Sequence, residues 1–185
     1  KKFKWSIFGQ QLLIGPKHLP RLFRDFDSNE LPNYLKNIID IAGAKLPYNT
    51  DQWDGYPNER EQFYRNIEES QSSIILAGDS HDSWLSNLYD SKDKFVGIEI
   101  GAPSITSPNS VDTFGSKINM IEDAFIKENK NLKWINGRNK GYVQLTISNE
   151  NVKVKYHYVS NVKSKKYTLL KPVTFTLNHN HPVNS

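Results

Sequence analysis

The sequence predicts an α/β (α+β) fold, and three observations carry that prediction. Ser73–Ala77 and Phe95–Ile100 are short apolar runs that each stop at a glycine, as buried strands do. Pro57–Ser70 and Phe114–Lys130 carry apolar side chains at helical spacing. Tyr142–Ile147, Val152–Val159 and Tyr167–Leu177 then read as three β segments in succession. With 185 residues, 37% hydrophobic and 12% aromatic, the chain can enclose a core and is too apolar for a disordered segment. No apolar run approaches the length of a membrane-spanning helix. The absence of cysteine excludes a disulfide scaffold, thiolate metal sites and thiol nucleophiles. A formal charge of +4, with dispersed lysines and a pI of about 9.1, argues against nucleic acid as a primary partner.

Along the chain, Lys4–Phe8 predicts a first strand, followed by the polar Gly9-Gln10-Gln11 and the apolar Leu12-Leu13-Ile14. Pro16, Pro20 and Pro32 interrupt the next segment. Leu35, Ile38, Ile39 and Ala42 are spaced for a short helix over Leu31–Ala44. Lys45–Tyr56 reads as a loop rich in polar and aromatic groups. Pro57 suits the first turn of a helix that turns Phe63, Tyr64 and Ile67 to one face. After the strand ending at Ala77, Trp84, Leu85 and Leu88 suggest a helix start. Within Phe114–Lys130, Ile118, Ile121, Phe125 and Met120 are expected inward. The first two of the last three strands predict a hairpin through Ser148–Asn151. No repeat or low-complexity linker divides the chain. One domain is expected over 1–178, with a disordered tail over 179–185.

The residues with chemistry cluster at strand ends. Gly78-Asp79-Ser80-His81 follows a buried strand, where layered α/β proteins gather ligands. A carboxylate and an imidazole two residues apart can share a metal; Asp79 as a helix cap beside a surface His81 satisfies the same spacing. Asp51-Gln52-Trp53-Asp54-Gly55-Tyr56-Pro57, with Arg60 beyond it, packs carboxylates, aromatics and a cation into one segment. Asp54, Tyr56 and Arg60 there suit a substrate-facing or metal-supporting loop, or equally a turn with an internal ion pair. Gln10 and Gln11 follow the first strand and can ligate weakly, donate to a phosphate oxygen, or simply face water. Glu99 leads into Gly101–Pro108, whose hydroxyls fit a site or an ordinary turn.

In order and rough spacing, WSIFGQQ (Trp5–Gln11), DQWDGYPNER (Asp51–Arg60), LAGDSHDSW (Leu76–Trp84), EIGAPSITS (Glu99–Ser107) and Asn131–Tyr142 resemble the C-terminal half of the PhoD-like alkaline phosphatase/phosphodiesterase family. That family lies within the calcineurin-like metallophosphoesterases. The resemblance implies part of a four-layer α/β/β/α sandwich with a mixed β-sheet. It also implies metal-dependent hydrolysis of phosphate esters by iron with calcium. By motif, Asp79 takes the place of the first histidine of the GHxH signature and His81 that of the second. Both are then metal ligands, with His81 also touching the phosphoryl group as a catalytic residue. Gln10 and Gln11 stand where many relatives carry a histidine, and Asp54, Tyr56 and Arg60 lie in a segment typical of the family. The family's earlier motifs, which supply the bridging carboxylates, are not in this sequence. The site is therefore expected to be incomplete here. The expected partners are a phosphate ester substrate and the missing N-terminal half of the same domain. The alternative is a non-catalytic remnant or binding module of the same fold. The sequence assigns no location: no signal peptide is read in it, and a periplasmic, secreted or membrane-associated full-length parent is compatible with the resemblance.

Overall fold

The computed structural model describes residues 3–27, 29, 31, 33–36, 39–67 and 72–184, apart from the side chains of 34 and 35. Its element order is β1 (Trp5–Gly9), α1 (Asn33–Lys36), α2 (Pro57–Asn66), β2 (Ser72–Ala77), β3 (Ser83–Tyr89) and β4 (Phe95–Gly101). There follow α3 (Ser110–Phe114), α4 (Ile118–Glu128), β5 (Leu132–Asn136), β6 (Lys140–Ile147), β7 (Asn151–Val159) and β8 (Val173–Asn178). Short 3-10 turns at Arg21–Asp25, Ile39–Ile41, Trp53–Gly55 and Gly115–Lys117 fill the connections.

A mixed five-stranded sheet in the order β1-β2-β4-β3-β5 forms the centre. The first three of these strands are parallel, and β3 runs antiparallel to both β4 and β5. A three-stranded antiparallel sheet, β6-β7-β8, makes a second layer. Strand alternation explains how the layers meet. Ile74, Leu85, Ile98 and Ile100 pack on Val152, Val154, Tyr156 and Leu177 of the second sheet. The opposite face presents Ala77 and Trp84 to Phe23, Ile121 and Phe125, and Ile75 and Leu88 to Tyr64 and Ile67. Each fully buried Ile or Leu removes apolar surface worth about 1.5–3 kcal/mol from water. Among the described residues this makes three layers, helical, central sheet and second sheet. The outer face of the second sheet is lined by exposed Tyr142, Gln144, Lys153, Thr174 and Thr176.

Several expectations need correction. Ser83–Tyr89 is a strand, not a helix start. It is covered on both faces, so Ser83, Ser86 and Asn87 are buried beside Trp84, Leu85 and Leu88, and the alternation of a half-exposed strand is lost. The strand β5 lies in a segment with no predicted element. The helix of Phe114–Lys130 is instead two helices starting at Ser110, because Gly115 takes φ 55 between them. Met120 is 53% exposed, and Glu122 is turned inward, accepting from Gly137 N at 2.8 Å and pairing with Arg138. The last strand begins at Val173 rather than Tyr167, just past Pro172, which has no N–H for the ladder. In place of one helix over Leu31–Ala44 stand α1 and the turn Ile39–Ile41, ending at Gly43 with φ 74. Residues 37 and 38 and the Leu35 side chain lie outside the described residues, as does the predicted helix end at 68–70.

Beyond β8 the chain turns back on the central sheet. Ser72 Oγ donates to Asn180 Oδ1 at 3.0 Å, and Asn87 exchanges two hydrogen bonds with the Val183 backbone at 2.9 and 2.8 Å.

Candidate active site

Strand β2 ends in the turn Gly78–Asp82, which bonds to Gln11 on one side and to the loop 102–110 on the other. Asp79 (φ 58) and His81 (φ 65) both adopt the left-handed conformation that non-glycine residues avoid. Each such residue costs on the order of 1–3 kcal/mol and persists where surrounding bonds over-determine it. Those bonds are present: Ala102 N donates to Ala77 O at 2.8 Å, Ser104 N to His81 O at 2.9 Å, and Trp84 Nε1 to Ser80 Oγ at 2.9 Å.

Asp79, His81 and Asp82 all line a pocket of about 530 Å³, closed by Tyr48–Thr50 and Gln52 on one wall and Pro108–Ser110 on the other. Asp79 is exposed there. His81 Nδ1 stands 2.7 Å from Pro108 O. A carbonyl only accepts, so Nδ1 carries the proton and Nε2 is the ring nitrogen left for a ligand. Asp82 is buried, accepting from Ser110 N at 3.0 Å and from Ser110 Oγ at 2.5 Å. Burial raises its carboxyl to about 6, against the opposing pull of those Ser110 hydrogen bonds. Asp82 thus ties the Pro108–Ser110 wall to the turn that carries His81. The pocket lining contains two carboxylates and no Lys or Arg side chain among the described residues.

Of the other anticipated residues, Gln10, Asp54 and Arg60 are spent on internal contacts. The Gln10 amide bonds the Leu12 backbone through both of its atoms and accepts from Trp53 Nε1 at 3.1 Å. Gln11 is exposed, with its carbonyl accepting from Gly78 N at 2.9 Å. Asp54 accepts from Arg60 Nη1 at 2.7 Å and from Lys17 N at 3.0 Å, and both side chains of that ion pair are largely buried. Tyr56 is 56% exposed. None of these five lines the pocket with Asp79 and His81, although Gln52 and Thr50 of the neighbouring turn do. Sequence reasoning missed Asp82, Asn109 and Ser110. The available signal was a third acid–base group adjoining His81 at a strand end.

As a metal site the arrangement is partial. The Asp79 carboxylate and His81 Nε2 are suitable donors, but Asp82 is occupied by Ser110, and first-row metals take four or more ligands. Among the described residues no group of three or more His, Cys, Asp or Glu side chains is arranged to hold a metal ion.

Comparisons with known proteins bear on this geometry. A family model described as PhoD-like phosphatase matches residues 1–156. Alkaline phosphatase D of Bacillus subtilis (strain 168) is 33% identical over 157 residues, covering 78% of this chain and 26% of that protein. The solved structure of PhoD superposes with a TM-score of 0.67 at 24% identity, over 95% of this chain and 30% of that one. At that identity the likeness is one of fold. The chain spans about a quarter of the length of the Bacillus relative.

Proposed function

The chain belongs to the PhoD-like phosphatase family, and on that premise we propose that it forms the Asp79–His81 side of the active site of a metal-dependent phosphoric ester hydrolase. The observation that carries this reading is the pair of strained residues, Asp79 and His81, facing one pocket at the end of a parallel strand. A phosphate ester is anionic, and a pocket lined by two carboxylates without Lys or Arg repels it unless a cation intervenes. Asp79 and His81 Nε2 are the donors this chain offers to such a cation, and the remaining ligands would come from sequence outside these residues. A metal bound there would supply a water ionised near neutral pH and a positive charge for the phosphoryl oxygens.

Within that centre the roles of this chain's own groups follow from their contacts. Pro108 O holds the His81 proton on Nδ1, so that Nε2 is aimed at ligand. Asp82, through Ser110, fixes the wall from which Pro108 reaches His81. Asp54 and Arg60 brace the segment next to Thr50 and Gln52, and so shape the opposite wall. β1 and β5 are the outer strands of the central sheet, and either edge can pair a further strand.

The test is hydrolysis of a chromogenic phosphodiester and monoester by the intact phosphatase containing this chain, with and without chelator. Turnover that chelator abolishes and added metal restores is expected. Chelator-insensitive turnover removes the metal from the account. No turnover of either ester under any metal favours a non-catalytic module of this fold.

A further inference from the structure

We propose that the loop 160–171 docks this protein on an anionic lipid bilayer surface, a property independent of the phosphatase reading. The last acidic residue in the sequence is Glu150, and beyond it the lysines are Lys153, Lys155, Lys163, Lys165, Lys166 and Lys171. Lys153 and Lys155 alternate along β7 toward the outer face of the second sheet, and the other four are exposed on the β7–β8 loop. The acid whose field Lys163 shares, Asp112, is already paired with Lys140 at 2.5 Å.

The base of the loop is closed, which decides how its apolar residues face. Ser160 N donates to Thr168 O at 3.0 Å, Leu170 N donates to Tyr158 O at 2.9 Å, and Val159 and Leu169 form a bridge. Leu170 consequently packs against the core between the sheets, while its neighbour Leu169 is turned out at 77% exposure and Tyr167 at 59%. A bare leucine and tyrosine among four exposed ammonium groups, with no carboxylate in the segment, match an interfacial anchor. The lysines attract anionic headgroups, and the aromatic and aliphatic side chains enter the boundary between headgroup and acyl chain. A soluble polyanion would use the charge but gain nothing from an outward leucine.

The experiment is co-sedimentation of the 185-residue chain with phosphatidylcholine vesicles, with and without phosphatidylglycerol. Partition that requires phosphatidylglycerol is expected, falling about fivefold for each of Lys165→Ala and Lys166→Ala and further in Leu169→Ser. All three positions are on the surface, so unchanged urea midpoints verify folding. Because the chain has no cysteine, an environment-sensitive dye on Leu169→Cys reports depth directly, and a blue shift on adding the anionic vesicles is expected. Three results overturn the proposal: no vesicle binding, partition indifferent to phosphatidylglycerol, or an unshifted dye while a soluble anionic polymer binds as tightly as the vesicles.

Discussion

Lys17 Nζ lies 2.8 Å from Glu99 Oε2, and both side chains are withdrawn from solvent. Lys17 also donates to Gly15 O at 2.9 Å and stands 5.3 Å from the centre of the Trp84 ring. The other Glu99 oxygen accepts from the Ile14 and Gly15 backbone N–H groups. One carboxylate on β4 thereby fastens the segment 14–17 over the central sheet. The Lys17 backbone N–H carries the connection on to Asp54.

Removing the charge from one member of that pair leaves the other buried and uncompensated. Glu99→Gln is expected to cost about 3–5 kcal/mol. Urea unfolding of the chain measures it. A loss below about 1 kcal/mol, the range of a surface pair, contradicts the described network.

Arg60→Ala poses a sharper question, because a guanidinium in this segment also suits an anionic ligand. With Arg60 Nη1 on Asp54 and both side chains largely buried, the variant is expected to lose about 3 kcal/mol of stability. On the proposed function, its KM for a phosphodiester should change little. A raised KM with unchanged stability assigns Arg60 to the substrate instead.

Asp82 makes stability depend on pH with a definite sign. Burial raises its carboxyl from 3.8 to about 6, so the folded state holds its proton more tightly than the unfolded state does. That contribution is complete below 3.8 and is lost as pH rises through about 6. The change is about 3 kcal/mol. In chelator, urea midpoints are expected to fall over this interval for the parent and to lose that component of the slope in Asp82→Asn. Identical slopes for the two proteins contradict the assignment.

Gly55 is required by close approach: a Cβ added there would lie 2.0 Å from Thr50 O. Gly55→Ala must push away the backbone that carries Thr50 on the pocket wall. A cost of about 1–3 kcal/mol is expected from thermal unfolding. A neutral substitution shows that the Thr50–Gly55 turn relaxes freely.

Much of this architecture is legible in the residues. Apolar runs that end in glycine locate β2 and β4, and alternation locates the β6–β7 hairpin. The element β3 is not legible, because burial on both faces removes the alternation, and Trp84, Leu85 and Leu88 happen to mimic helical spacing. Met120 and Glu122 exchange the sides their chemistry suggests, because the Gly137 and Arg138 groups that Glu122 satisfies arrive from the end of β5, distant in sequence. At the site, adjacency in sequence reveals Asp79 and His81 together. The Pro108–Ser110 wall is brought to them only by tertiary folding. The direction of Asp54 and Arg60 is equally hidden, since an internal ion pair and a ligand-facing pair use the same residues.

The most direct measurement of the proposed function is the steady-state hydrolysis of a chromogenic phosphodiester by the full-length protein that contains this sequence, wild type against His81→Ala, with folding of both verified by their unfolding midpoints. If the strained turn after β2 presents His81 Nε2 to the cation that meets the reacting phosphate, kcat/KM falls by about a hundredfold or more while the midpoint stays close to that of the wild type. A folded His81→Ala enzyme that turns over at the wild-type rate contradicts the placement of the active site in this pocket.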